Sequence, residues 1–206
     1  MKKGDVDVES LSMFKVICAQ CTHTSKASEL LCVMCGKILP FYTMNPFVIF
    51  KCTPSLSIDR AILDQYYFSL QRNLHPDKLR NISDIEQLWA EQHISQVNQA
   101  YKALQDQLLI AKASVLYIKD PSLTLENFDE EDIPTPPMGF LQKIMALQTN
   151  VSAEESDQLY REVIFNLDKA IGTLDSSKIL TAIAKLTYVQ RLRNLTKEIR
   201  HADSNY

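Results

Sequence analysis

The chain has 206 residues, enough for one ordinary domain or two small ones, and 46% of them are hydrophobic, enough to bury a core. Its formal net charge is −3, from 22 basic and 25 acidic residues, which leaves no basic face for binding nucleic acid. With only four glycines, it contains neither G-x-G-x-x-G nor G-x-x-x-x-G-K-[ST], so a phosphate-cradling nucleotide loop is excluded as well.

Residues 1–13 read as a polar tail. Their opening, "MKKGDVDVES", has neither the apolar core of a secretory signal nor the arginine-rich, acid-poor character of a transit peptide. No run approaches the ~20 apolar residues of a membrane span, so no membrane association is expected. A soluble intracellular protein is the default, and there cysteines read as metal ligands before disulfides. Residues 14–40 hold four of the five cysteines. Cys18-x2-Cys21 is followed, ten residues on, by Cys32-x2-Cys35. Two such pairs can give four thiolates to one tetrahedral zinc, a structural site because a closed sulfur shell leaves no position for water. Gly36 suits the sharp turn after Cys35, since glycine tolerates positive φ. Four free thiols, or a redox-active C-x-x-C, are the competing readings; the redox motif belongs beside a βαβ pattern, which is absent. His23 is a bystander to the four sulfurs, and Cys52 reads as a small buried apolar residue.

"NPFVIFKC" (45–52) is a short apolar turn or helix. Ile62, Tyr66, Leu70 and Leu74, with Leu63 and Tyr67 beside them, predict an amphipathic helix capped by Ser57 or Asp59. Pro76 forces the chain out of it. Ile94, Val97, Tyr101, Leu104 and Leu108 predict a second helix over about 83–108, opened by a Ser83–Glu86 capping box. Joined by a short polar loop, the two should pack antiparallel. "LLIAKASVLYIK" (108–119) predicts a further short helix. Residues 120–137, with four prolines and the solvated run "DEED" (129–132), read as a linker. Three helical stretches follow. The first is 138–149, the second about 153–173 with Leu159, Val163, Leu167 and Ile171. The third is about 176–200, with Leu180, Ile183, Val189, Leu192 and Ile199. Their stripes need helical partners, so a small bundle and a mainly α fold are expected.

Between the paired helices lies "RNLHPDKLRN" (72–81). A hydrolytic His75–Asp77 pair would need the carboxylate aimed at one imidazole nitrogen and a nucleophile, metal or water at the other. No G-x-S-x-G accompanies it, and His23, His93 and His201 show no H-E-x-x-H spacing. The chain is therefore not expected to be an enzyme. A chance polar turn and a surface built for a partner remain.

His-Pro-Asp at the end of "LQRNLHPDK", followed by a helix carrying "VNQAYKAL", resembles a J-domain, the module by which co-chaperones act on DnaK-type chaperones. With "NPFVIFKC" before and "VNQAYKALQDQLLIAKASVL" after, the chain resembles the HscB-type J-proteins of iron–sulfur cluster biogenesis, in the eukaryotic form with a four-cysteine module. The resemblance covers roughly 14–200. It implies a zinc module at 14–40, a J-domain at 45–119, a linker at 120–137 and a C-terminal three-helix bundle at 138–206. It also implies that His75, Pro76 and Asp77, supported by Arg72 and Lys78, contact a DnaK-type chaperone and stimulate its ATPase. Leu141, Met145 and Tyr188 would then bind an iron–sulfur scaffold protein of the IscU type. Without the resemblance, those three read more often as packed core than as an interface. The sequence departs from the family at "QLLIA" (107–111), where the usual form is "PLxRA". It departs again at "FLQKIMALQT" (140–149), where acidic neighbours are usual. The implied location is the mitochondrial matrix or a related organelle, with the cytosol as alternative. A general J-protein with another client, a zinc-binding adaptor and a thiol oxidoreductase are the competing functions.

Overall fold

The computed structural model describes residues 15–26, 28–79, 82–149 and 153–203. The polar tail 1–13 and the side chains of Pro76, Ile199 and His201 lie outside the described residues. The elements are strands β1 (Lys15–Ile17) and β2 (Thr24–Lys26), then helices α1 (Pro46–Ile49), α2 (Arg60–Asn73) and α3 (Asp84–Ala103). Helices α4 (Gln107–Lys119), α5 (Met138–Thr149), α6 (Ala153–Gly172) and α7 (Ser176–Asp203) follow. The fold is mainly α, with a small cysteine-bearing sheet module at the front, as the sequence predicts. Among the described residues, no helix is long and apolar enough to cross a membrane.

The chain divides into two compact units. The first holds the described residues up to Thr53, Ile58–Gln105 and Lys119–Thr124; the second holds Pro54–Ser57, Asp106–Ile118 and the chain from Leu125 onward.

In the first unit, β1 and β2 pair antiparallel, with Val16 opposite Ser25. Val16, Cys18, Cys32 and Leu39 form a small core beneath them. Asn45 caps α1 by accepting the Phe47 amide at 3.2 Å, and Pro46 at the first helical position loses no hydrogen bond there. Helix α1 is buried along its length and packs on α3. Asp59, rather than Ser57, caps α2, accepting the Ala61 and Ile62 amides. Within α2 the buried residue is Leu63, and Leu74 is buried at its end; Ile62, expected in the apolar stripe, is 64% exposed. The buried side follows Leu63, Tyr67, Leu70 and Leu74, and Ile62 lies about 100° around the helix from Leu63.

Helix α3 opens on the expected capping box, with Ser83 and Glu86 satisfying each other's backbone. It ends at Ala103, short of the expected Leu108. Asp106 starts a new helix by accepting the Leu108 and Leu109 amides at 2.8 and 3.0 Å, so Leu108 belongs to α4. Helices α2 and α3 meet at Tyr67 and Tyr101, whose rings stack 4.0 Å apart with 14° between planes. The Tyr101 hydroxyl donates to Asp64 at 2.7 Å, and that bond to a carboxylate pushes its phenol above the ordinary value. Asn98 Oδ1 accepts from Tyr67 and Gln71 at 3.0 and 2.6 Å.

In the second unit, α4 buries residues on most of its faces, from Ile110 to Tyr117. Tyr160 of α6 donates to Gln107 at its start. Helices α6 and α7 form a hairpin, with Leu174 at φ 51 in the turn and Asp175 accepting the Lys178 amide at 3.1 Å. Leu159, Val163, Leu167 and Ile171 are buried on α6, as predicted. On α7 the buried residues include Ile179, Ile183, Val189 and Leu192; Leu180, expected in that stripe, is half-buried. Helix α5 packs on α7 through the side bearing Ile144 and Leu147. Segment 120–137 is built from two 3-10 turns, Leu125–Asn127 and Glu130–Asp132. "DEED" is exposed there, with Glu130 paired to Lys112.

Candidate functional site

The four cysteines of the first unit converge. Their sulfurs all lie within 4.8 Å of one another, and Cys18–Cys35 and Cys21–Cys32 are 3.6 Å apart. An ion about 2.3 Å from each of four tetrahedral sulfurs would place those sulfurs about 3.8 Å apart, so the cluster fits a zinc-sized ion. His23 is not part of the group. The two halves are built alike. The Thr22 amide donates to the Cys18 carbonyl at 2.9 Å and the Cys18 amide to His23 at 2.9 Å. Gly36 and Cys32 repeat this with Cys32 and Lys37 at 2.8 and 2.7 Å. Each loop then turns on a left-handed residue just after its second cysteine, Gly36 at φ 71 and Thr22 at φ 56. Gly36 was legible in the sequence. Thr22 was not, and only the symmetry of the two pairs could have pointed to it.

Backbone amides aim at the sulfurs. Those of Cys21 and Gln20 hold the Cys18 thiol below its ordinary value. Burial resists ionisation of Cys32, but the Cys35 and Met34 amides and the neighbouring thiols outweigh it and bring it down to about 6. Cys21 receives the His23 amide, yet burial and the three other sulfurs drive it up to about 12. Cys35 receives the Lys37 amide, but burial and the Cys18 and Cys32 sulfurs raise it. Crowded sulfurs cannot all ionise unaided, which is the electrostatic demand a bound cation meets. Cys52 lies apart and half-buried, its thiol pushed up to about 11 by burial.

At the far end of α2, Leu74 is buried and His75 turns outward. Pro76–Lys78 form a single 3-10 turn, closed by the Lys78 amide on the His75 carbonyl at 2.9 Å. The His75 imidazole accepts the Asp77 amide through Nδ1 at 3.2 Å and lies 3.6 Å from the Asp77 carboxylate. Both side chains stay exposed, at 59% and 79%. Arg72 in the last turn of α2 and Lys78 are exposed beside them. An exposed pair with Nδ1 turned onto its own backbone lacks the buried carboxylate–imidazole–nucleophile line that hydrolysis needs. It is a presented surface. Below it, the Ser83 amide and hydroxyl, with Lys37 3.8 Å away, hold the Glu86 carboxyl below its usual range.

In the second unit, Met145 is 65% exposed and Tyr188 36%, while Leu141 is half-buried. Met138, Leu141 and Met145 form an i, i+3, i+7 stripe on α5 that adjoins the side bearing Ile144 and Leu147. Helix α5 thus carries one broad apolar surface, buried at Ile144 and Leu147 and exposed along its Met138 and Met145 edge. Lys143 pairs with Glu162 at 3.6 Å. Helix α3 also buries two polar side chains that no sequence motif marks, His93 and Gln96. Their only signal was polar residues standing in an otherwise apolar stripe.

No protein-family model matches the chain. A co-chaperone HscB homolog from Pasteurella multocida is 34% identical over 129 residues, 61% of this chain and 70% of that protein. Another, from Shewanella loihica, is 37% identical over 89 residues, 43% of this chain and about half, 51%, of that relative. Among solved structures, human co-chaperone protein HscB aligns with a TM-score of 0.68 at 22% identity, covering 89% of this chain and 98% of that one. That likeness is one of fold.

Proposed function

The chain belongs to the HscB co-chaperone family, and on that premise we propose that it brings an IscU-type iron–sulfur scaffold to a DnaK-type chaperone and stimulates the chaperone's ATPase. The family is not itself enzymatic, and hydrolysis belongs to the partner. The observation that carries the reading is the outward-turned His75–Asp77 loop, seated on buried Leu74 between two helices locked by the Tyr67–Tyr101 stack. Such a loop acts by binding one state of the chaperone better than the other, since only differential affinity shifts an equilibrium. Arg72 and Lys78 add positive charge at its edges. The Leu141 and Met145 edge of α5's apolar surface and Tyr188 on α7 form the face for the scaffold. The four cysteines hold a structural zinc, which ties the two loops together when bound. The mitochondrial matrix or a related organelle is the proposed setting.

The test is steady-state ATP hydrolysis by a DnaK-type chaperone with the chain alone, an IscU-type scaffold alone, and both. Stimulation by the chain, increased further by the scaffold, is expected. No stimulation by the chain defeats the proposal; stimulation without any scaffold binding transfers the chain to another client.

A further inference from the structure

We propose that the tetracysteine module is a positioning element for the His-Pro-Asp loop, coupled to it through Glu86, His93 and Gln96 of α3, so that metal occupancy sets how firmly the helix pair holds the loop. The inference rests on the co-chaperone reading for its functional meaning. Its physical content stands within the first unit.

The coupling starts at Leu39. Its side chain packs with Val16, Cys18 and Cys32, and its amide donates to the Leu30 carbonyl at 3.0 Å. Its carbonyl faces His93 Nε2 at 3.1 Å. A carbonyl only accepts, so Nε2 carries the proton and Nδ1 is bare. Nδ1 is buried and has no hydrogen-bond partner among the described residues. Burial keeps the ring neutral, holding its pKa below the ordinary value. A leucine would fill this position, between Ala90 and Val97 of the buried stripe, without an unpaired acceptor. The imidazole differs from it in one useful act, donating to Leu39. Three residues on, Gln96 accepts the Met44 amide at 2.8 Å and donates to the Tyr42 carbonyl at 3.3 Å.

The third tie reaches the loop itself. Glu86 accepts from the Ser83 amide and hydroxyl at 2.8 and 2.9 Å, closing the capping box where the chain re-enters α3 after His-Pro-Asp. The same carboxylate faces Lys37, whose carbonyl accepts the Cys32 amide. One side of α3 therefore grips segment 37–44, while Asn98 and Tyr101 on α3 hold α2. Direct contact is a poorer route. A groove of about 200 Å³, lined by Leu31, Val33, Tyr66, Leu70, Asn73 and Leu74, opens between the module and the last turns of α2. A metal that binds only the folded module stabilises whatever must be in place for that module to fold.

The test is amide hydrogen exchange on the full chain, zinc-loaded and chelator-stripped, in wild type, His93→Leu and His93→Gln. In wild type, stripping should speed exchange at Leu74–Lys78 and the first turns of α3 by ~10-fold or more. In His93→Leu, with zinc still bound at full stoichiometry, stripping should speed those amides at least ~3-fold less than in wild type, because one of the three ties is gone. His93→Gln, whose amide can donate to the same carbonyl, should restore the wild-type response. A purely packing role would give additive effects in His93→Leu. Equal metal sensitivity in wild type and His93→Leu, or none in wild type, overturns the proposal. The exchange needs no chaperone: a loaded wild-type chain that fails to stimulate ATP hydrolysis defeats the co-chaperone reading, and the exchange still decides the coupling.

Discussion

Leu74→Ala tests whether the presented loop is anchored from below. Leu74 is the last residue before His75 and is 1% exposed. Truncation removes three carbons, a transfer loss of about 2 kcal/mol at ~0.8 kcal/mol per methylene. An unrelaxed cavity would raise this toward ~5 kcal/mol, as in rigid cores. Leu74 borders the groove of about 200 Å³ beside α2, so its neighbours have room to rearrange and the lower half of the range applies. The expected loss is about 2–3 kcal/mol, a roughly 30- to 150-fold rise in exchange at the amides of buried α3 residues such as Val97 and Ala100. Native-state hydrogen exchange reads this directly, with Leu167 of the second unit as reference. Chaperone stimulation should fall with it. A loss below ~1 kcal/mol would mean that Leu74 does not carry the loop, and the anchoring argument fails.

His93 gives an acid-dependent prediction. Its folded pKa lies below the ordinary 6.5, so as pH falls the unfolded chain takes up a proton that the folded chain refuses. Stability is complete above about pH 6.5 and declines below it until folded His93 is protonated; denaturant midpoints across pH 5–8 should flatten in His93→Gln. Thr22→Gly relieves a left-handed β-branched residue and should strengthen zinc retention against a chelator by about 1 kcal/mol, whereas Gly36→Val should weaken it. Met145→Glu should leave thermal stability unchanged while weakening scaffold binding at least ~10-fold in a titration, and Ile144→Ala should cost about 2–5 kcal/mol of bundle stability.

What was legible in the sequence was mostly local. The Ser83–Glu86 box and the limits of α5 follow from short-range signals that tertiary packing did not override. The cysteine spacing disclosed the cluster because two C-x-x-C pairs leave few other geometries. Pattern and structure part where about 100° of helix rotation decides between two neighbours. Ile62 and Leu63, or Leu180 and Ile179, are equally apolar, and only the partner helix chooses between them. The α3–α4 break was hidden because Leu104 and Leu108 keep the helical period across a chain interruption that Asp106 imposes by capping. His93 was invisible for a different reason: its partner, the Leu39 carbonyl, is 54 residues away and is backbone, which no side-chain pattern reports.

The central claim is that His75–Asp77 acts on a chaperone's active site by contact. Single-turnover ATP hydrolysis by a DnaK-type chaperone, with saturating scaffold, should accelerate with the wild-type chain and return to the basal rate with His75→Gln, whose exposed side chain contacts Asp77 of its own turn. No acceleration by wild type, or equal acceleration by His75→Gln, would contradict it.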